Sequence, residues 1–280
     1  FRGTQILMAT KKWIGTDGSY STSGNWSPSG VPSAGDTVRL PAGGGDITAG
    51  LNQSAVAIDA FIVEEGYSGD IGSDAGYLQL DTDVFIYHGT GVAYVDLGST
   101  TVSPDIVKAA DAQDGEHGLY LKGSGIATLS ITQGDVGLAA LVGETATATT
   151  VRVMESGAKC ELGPGCTLTT VTNNAGELLL RAAATTLNVV GGTTRTRETG
   201  AITTVNQYGG TIYPQSSGTI TTHNLYGGTA DFSHSGIPRT VTTLNQHART
   251  TSELIYDPAV LTITNHGTPE RAVRRTLTTI

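Results

Sequence analysis

Charge, aromatic rings and sulfur are all scarce in this chain. Of its 280 residues only 15% are charged and 6% aromatic, with two cysteines, two methionines and two tryptophans. One cysteine pair defines no disulfide framework, so Cys160 and Cys166, in CELGPGC, read as buried or half-buried free thiols. A bridge there would close a Gly-Pro-Gly turn, and zinc would lack a second ligand pair. No apolar run approaches the ~20 residues of a spanning helix, which excludes insertion by helix. The net charge of −9 leaves no broad basic surface for nucleic acid. The one basic cluster is terminal: Arg271, Arg274 and Arg275, in ERAVRR, form either a solvated tail or a docking point for an acidic partner. No P-loop, G-x-S-x-G or dinucleotide fingerprint occurs, so no cofactor is expected.

What is abundant is glycine, 38 residues of it, together with threonine and branched apolar residues in a repeat. ITTVNQYGGT from Ile202, ITTHNLYGGT from Ile220 and VTTLNQHART from Val241 are near copies, with TTLNVVGGT from Thr185 and LTITNHGT from Leu261 as weaker ones. Asn173, Asn188, Asn206, Asn224, Asn245 and Asn265 mark the series, and subtracting neighbours gives steps of 15, 18, 18, 21 and 20 residues. A period near 20 predicts a solenoid with one coil per repeat. Coils ~4.8 Å apart bring equivalent asparagine amides within reach of one another, and Asn and Gly both tolerate the left-handed backbone of sharp turns. Parallel crossovers are right-handed, so the expected fold is an all-β, right-handed parallel β-helix with ~18–21 residues per coil. An antiparallel sandwich or barrel is the alternative, but it gives no reason for an in-register Asn-x-x-Gly-Gly-Thr.

Four regions follow. Residues 1–7 read as a leader before a start at Met8, and the first ten residues hold no secretory signal. Residues 8–50, dense in turn residues and carrying Trp13 and Trp26, read as an N-terminal cap over the first coil. Residues 51–268 form the β-helix and 269–280 the tail. DIVKAADAQDG, from Asp105, is expected as a helical turn or a protruding loop.

The residues WIGT from Trp13 and GNWSPSGVPSAGDTV from Gly24 resemble the opening of autotransporter- and haemagglutinin-like β-helix proteins. The later repeats and the closing YDPAVLTITNHGTPERAV resemble β-helical structural proteins of tailed bacteriophages. That resemblance implies a virion component (capsid decoration, fibre or tail accessory), a homotrimer with apolar strand faces packed between copies, and other virion proteins as partners. It carries over no catalytic residue.

A glycosidase would need paired carboxylates roughly 5–10 Å apart. Asp231 and Glu253 are the nearest to a registered pair, Glu177 and Glu198 do not align with them, and the remaining acids flank glycine turns. No catalytic residue is therefore assigned. A tailspike-like polysaccharide hydrolase or lyase and a glycan-binding adhesin remain the alternatives. Tyr208, Tyr213, Tyr226 and Phe232 are the candidates for contact with a host-surface glycan. DAQDGEH, from Asp111, does not match a calcium loop and reads as an acidic surface loop, and the six histidines form no ligand set, so no metal site is assigned. The extra residues of the longer steps are placed around Ser235–Pro238 and Ser252–Pro258.

Overall fold

The structure, a computed structural model, describes residues 9–266 apart from 112–115, 234–235, 248–251, 257–258 and 260. Its strands stack as a parallel β-solenoid of about 10 turns, with almost no helix. Among the described residues the helical content is one short 3-10 turn, Ser23–Asn25, and no helix is long and apolar enough to cross a membrane.

From Gly134 onward each coil contributes two strands, stacked in two columns. One column runs Ala146–Val153, Cys166–Asn173, Ala184–Val189, Ile202–Gln207, Ile220–Leu225, Arg239–Gln246 and Leu261–His266. The other runs Gly134–Leu138, Ala158–Leu162, Glu177–Leu180, Thr193–Thr196, Thr211–Pro214, Gly228–Asp231 and Ser252–Ile255. Side chains alternate across each strand, so Leu129, Val151, Val171, Leu187 and Val205 form one buried file along the axis. Each such side chain contributes ~1.5–3 kcal/mol on burial. The apolar residues of these strands thus point into the chain's own core rather than toward another copy. Asp105–Lys108, expected as a helical turn or loop, is a strand between neighbouring coils, because Ile106 fills the same core.

The outward positions are equally regular. Thr128, Thr150, Thr170, Thr186, Thr204, Thr222 and Thr243 stand in one file. Two residues on, Asn188, Asn206, Asn224 and Asn245 form a hydrogen-bonded ladder. Asn206 Nδ2 donates to Asn188 Oδ1 at 3.0 Å, Asn224 to Asn206 at 2.9 Å and Asn245 to Asn224 at 2.8 Å. These asparagines lie in strands and not, as the turn argument held, in the left-handed region; positive φ among described non-glycine residues occurs at Ala139 and Glu198. The turns are made by Gly192, Gly210 and Gly228, at φ +65°, +63° and +81°. A Cβ on Gly192 would also lie 2.1 Å from the Gly176 carbonyl oxygen of the preceding coil.

Asn173 and Asn265 are outside this ladder. Position 172 is the true neighbour of Asn188, which donates to the Thr172 hydroxyl at 3.3 Å. Asn173 faces inward, fully buried, and Asn265 pairs with Thr243, so the last step is 22 residues (243 to 265) and not 20. Inside, Asn173 belongs to a file that alternates polar and apolar: Asn173, Val189, Gln207, Leu225, Gln246. Its Nδ2 donates to the Gly176 carbonyl at 3.0 Å and, one coil on, to the Thr193 carbonyl at 3.1 Å. Gln207 repeats this with Gly210 at 3.3 Å and Thr229 at 2.9 Å. An amide has two donor hydrogens, so one side chain serves the corner carbonyls of two coils, and only alternate coils need one.

The N-terminal end is closed differently. Thr10–Trp13 pairs in parallel with Thr37–Leu40 and, on its other side, antiparallel with Trp26–Ser27. Trp13 and Trp26 are buried edge to face at 5.0 Å, with Tyr20 against Trp26 at 4.7 Å. Their indole nitrogens donate to the Gly45 and Tyr20 carbonyls, each at 2.8 Å. Reversed strand and rings together cover the edge that a parallel stack would otherwise expose.

Replacing Gln207 by Leu leaves the Gly210 and Thr229 carbonyls and the His223 ring nitrogen without their amide partner. We expect a loss on the order of 2 kcal/mol in denaturant unfolding, against under about 1 kcal/mol for Asn206→Ala on the wetted ladder. An Asn206→Ala loss equal to or larger than that of Gln207→Leu would contradict this division of labour.

Candidate functional site

The residues singled out from the sequence separate by parity along their strands. Tyr208 and Tyr226 stack outside the coil at 4.9 Å, 4° from parallel, and His247 continues the stack at 4.2 Å. Tyr208 is half exposed. Tyr213 lies in the other column, with the Arg195 guanidinium 5.2 Å from its ring centroid, so it does not join them. Phe232 is fully buried, packed 6.2 Å from the His223 ring, and is removed from the candidates for glycan contact. Asp231 and Glu253 are not opposite one another: Glu253 pairs with Thr229, while Asp231 is buried and pairs with Ile255. The residues in question at 235 and 257–258, and Arg271, Arg274 and Arg275, lie outside the described residues. Ser252, placed in a bulge from the sequence, begins a strand; the three extra residues of the 21-residue step fall between Asp231 and Val241. Both cysteines are free and buried; burial pushes the Cys166 thiol up to about 12.

The most concentrated chemistry is a row of charges that crosses one flank, one group per coil or nearly so. His117 leads it, held by residues 116–118 over the outer face of Gly137, where no side chain intervenes. Its Nδ1 meets Asp135 Oδ1 at 2.6 Å and its Nε2 faces Glu161 Oε2 at 3.6 Å. Arg181 then donates through Nη1 to Glu161 Oε1 at 2.6 Å and through Nε to Glu198 Oε1 at 2.7 Å. Positive and negative groups alternate along the row, so each coil is clasped to the next on its outer face.

Burial alone would lower the His117 pKa, but hydrogen bonds to Asp135 and Glu161, and their charges, outweigh it and raise the imidazole from 6.5 to about 9. Burial would likewise raise Glu161, and hydrogen bonds from His117 and Arg181 hold it below the usual carboxylate range. His117 is therefore an imidazolium at neutral pH and Glu161 a carboxylate. Neither is poised as a general base or a general acid near pH 7. A shallow cavity of about 330 Å³ opens beside the row, lined by Lys159, Glu161, Glu177, Arg195 and Arg197. Among the described residues no group of three His, Cys, Asp or Glu is placed to hold a metal ion.

Sequence reasoning missed this row because it aligned only asparagines. A signal was present: His117 to Asp135 is 18 residues, Glu161 to Arg181 20 and Arg181 to Glu198 17, each close to one coil. No protein-family model, curated protein or solved structure matches the chain, so the parallel β-solenoid rests on its geometry alone.

His117 and the core residue His223 act oppositely on stability. The His117 proton is bound in the native state, so its contribution is complete below pH 6.5 and lost as the pH rises toward about 9. His223 is fully buried, with Nε2 against Gln207 Oε1 and no partner at Nδ1, and burial lowers it to about 4. Its contribution is present above pH 6.5 and lost as the pH falls toward about 4. Thermal melts should therefore peak near neutrality, with His117→Gln flattening the alkaline limb and His223→Leu the acid limb. Unchanged limbs in both variants would refute the assignment.

Proposed function

We propose that this chain is a non-enzymatic structural component of a tailed-bacteriophage particle, displayed as a capsid decoration, fibre or tail accessory. The observation that carries the reading is the continuous parallel pairing from Thr37 to His266, which leaves no joint between coils among the described residues. About 10 turns at ~4.8 Å each give a stiff body on the order of 50 Å long. The repeats and the closing segment, by their resemblance to phage β-helical proteins, supply the setting.

The arrangement of acids supports a structural rather than a hydrolytic role. Asp135, Glu161 and Glu198 are each engaged by His117 or Arg181. Asp231 and Glu253 lie on neighbouring strands but two positions out of register, and Asp231 is buried. If copies associate as a trimer, their contacts are made by the Thr, Asn, Tyr and charged outer faces, because the apolar faces are consumed within each coil.

Immunogold electron microscopy of particles from the source tests the reading. Label on intact particles, with a native mass of three chains for the purified protein, is the expected result. Absence of label from particles, or depolymerisation of host capsule or lipopolysaccharide by the purified protein, would overturn it. A monomeric mass at micromolar concentration would remove the trimer alone.

A further inference from the structure

One titratable group lies in the core itself, where neither the charged row nor the asparagine ladder uses it. His223 is fully buried in Ile220–Leu225, with Val205 paired to it on the preceding coil and Leu244 on the following one. We propose that His223 is an acid-sensitive latch: when its ring takes up a proton, the coils that follow, carried by Arg239–Gln246 and Leu261–His266, open locally while the coils before Ile202 stay wound.

The ring holds the amide that joins two coils. Gln207 donates through Nε2 to the Gly210 carbonyl at 3.3 Å and to the Thr229 carbonyl of the next coil at 2.9 Å. Its Oε1 can only accept, and it lies 3.2 Å from His223 Nε2, so that nitrogen carries the hydrogen. His223 Nδ1 is then the bare acceptor, and it has no partner. Protonation puts a hydrogen on Nδ1 as well, which makes donors of both ring nitrogens. The result is a charge in an apolar core with one N–H unpaired, and both features are costly. Lifting the following coil, which carries Leu244, brings the ring to water.

The surrounding strands supply no compensating charge. Ile220–Leu225 holds no other titratable residue, and Ile202–Gln207 holds none. Thr211–Pro214 turns Ile212 and Pro214 inward, with Tyr213 beside Arg195. Arg239, on the following coil and 4% exposed, brings a further positive charge and donates through Nη1 to the Phe232 carbonyl at 2.7 Å. Asp231 accepts from the Ser233 N–H at 2.9 Å and its hydroxyl at 2.6 Å, and Glu253 from the Thr229 hydroxyl at 3.3 Å. Burial is accordingly what lowers the His223 pKa from 6.5 to about 4.

The coils after His223 are fastened less tightly than those before it. Leu254 and Leu261 are 9% and 7% exposed, where Leu187 and Val205 are fully buried. Gln246, in the same inward file as Gln207, donates to the Ser252 hydroxyl at 3.1 Å, whereas Gln207 ties the carbonyls of two coils. Coils of a solenoid contact their neighbours alone, so a weak stretch opens without melting the rest. The His223 contribution is present above pH 6.5 and lost as the pH falls toward about 4, so the opening equilibrium should rise about a hundredfold between pH 7 and pH 4. This inference goes beyond the structural role and concerns the chain alone, so it stands or falls independently of where the protein sits.

Hydrogen–deuterium exchange with mass spectrometry on the full chain tests this, with protection at pH 7 and pH 4 corrected for the intrinsic exchange rate at each. Peptides covering 239–246 and 252–255 should lose about a hundredfold in protection at pH 4, while those covering 166–189 keep theirs. His223→Leu matches the aliphatic file, and His223→Gln keeps a donor for Gln207 without a titrating group. Both variants should hold the protection of 239–246 equal at the two pH values. His247→Gln, on the exposed aromatic stack, should open as the parent does. The proposal is overturned if the parent keeps its protection at pH 4, if protection falls equally along the whole chain, or if both His223 variants open like the parent.

Discussion

Stacking one coil on the next at a single strand spacing of ~4.8 Å places every side chain directly over its counterpart. A residue type is therefore tolerated in a file only if it can sit on a copy of itself or on a compatible partner. Asparagine satisfies this through its amide, which donates upward and accepts downward, as between Asn206 and Asn224. Threonine does so on the neighbouring file, and the parallel rings of Tyr208 and Tyr226 do so beyond it. Like charges cannot, which is why the flank from His117 to Glu198 alternates in sign. Scarcity of charge in the whole chain and regularity of its repeats are thus two results of one geometric rule.

Inside the coil the same rule meets a harder problem. The corner that turns through Gly192, Gly210 and Gly228 leaves carbonyls, among them those of Gly176, Thr193, Gly210 and Thr229, pointing inward to the buried amides. An inward amide forfeits the ~1.5–3 kcal/mol of a buried aliphatic side chain but prevents the ~1–3 kcal/mol loss at each carbonyl it satisfies. With two carbonyls per amide the exchange is favourable, and Asn173 and Gln207 occupy alternate coils accordingly. His223 sits beside this arrangement as a neutral ring whose Nε2–H is taken by Gln207. Polar residues in this core are fasteners between coils.

How much of this was legible depended on constancy of coil length. Where successive coils are both 18 residues, Asn188, Asn206 and Asn224 appear in the sequence as the ladder they form. Where the length changes, the frame slips: Asn173 lies one residue past the ladder position and Asn265 pairs with a threonine. A slip of one residue exchanges the inside for the outside, so the buried amide of Asn173 was read as a surface rung. Phe232 and Tyr208 illustrate the same limit, because composition marks both as aromatic candidates and only parity from the corner separates core from surface. The charged flank draws on His117, which lies outside the regular repeat, and its residues come together only through the fold.

The account rests on parallel coils held in register, and spin-label distances along one file test that most directly. With one label at Thr128 and a second placed in turn at Thr170, Thr204 and Thr243, the separation should grow by ~4.8 Å for each coil crossed, as the file of paired threonines requires. Distances that fail to increase in chain order, or that alternate as they would in an antiparallel sandwich, would contradict it.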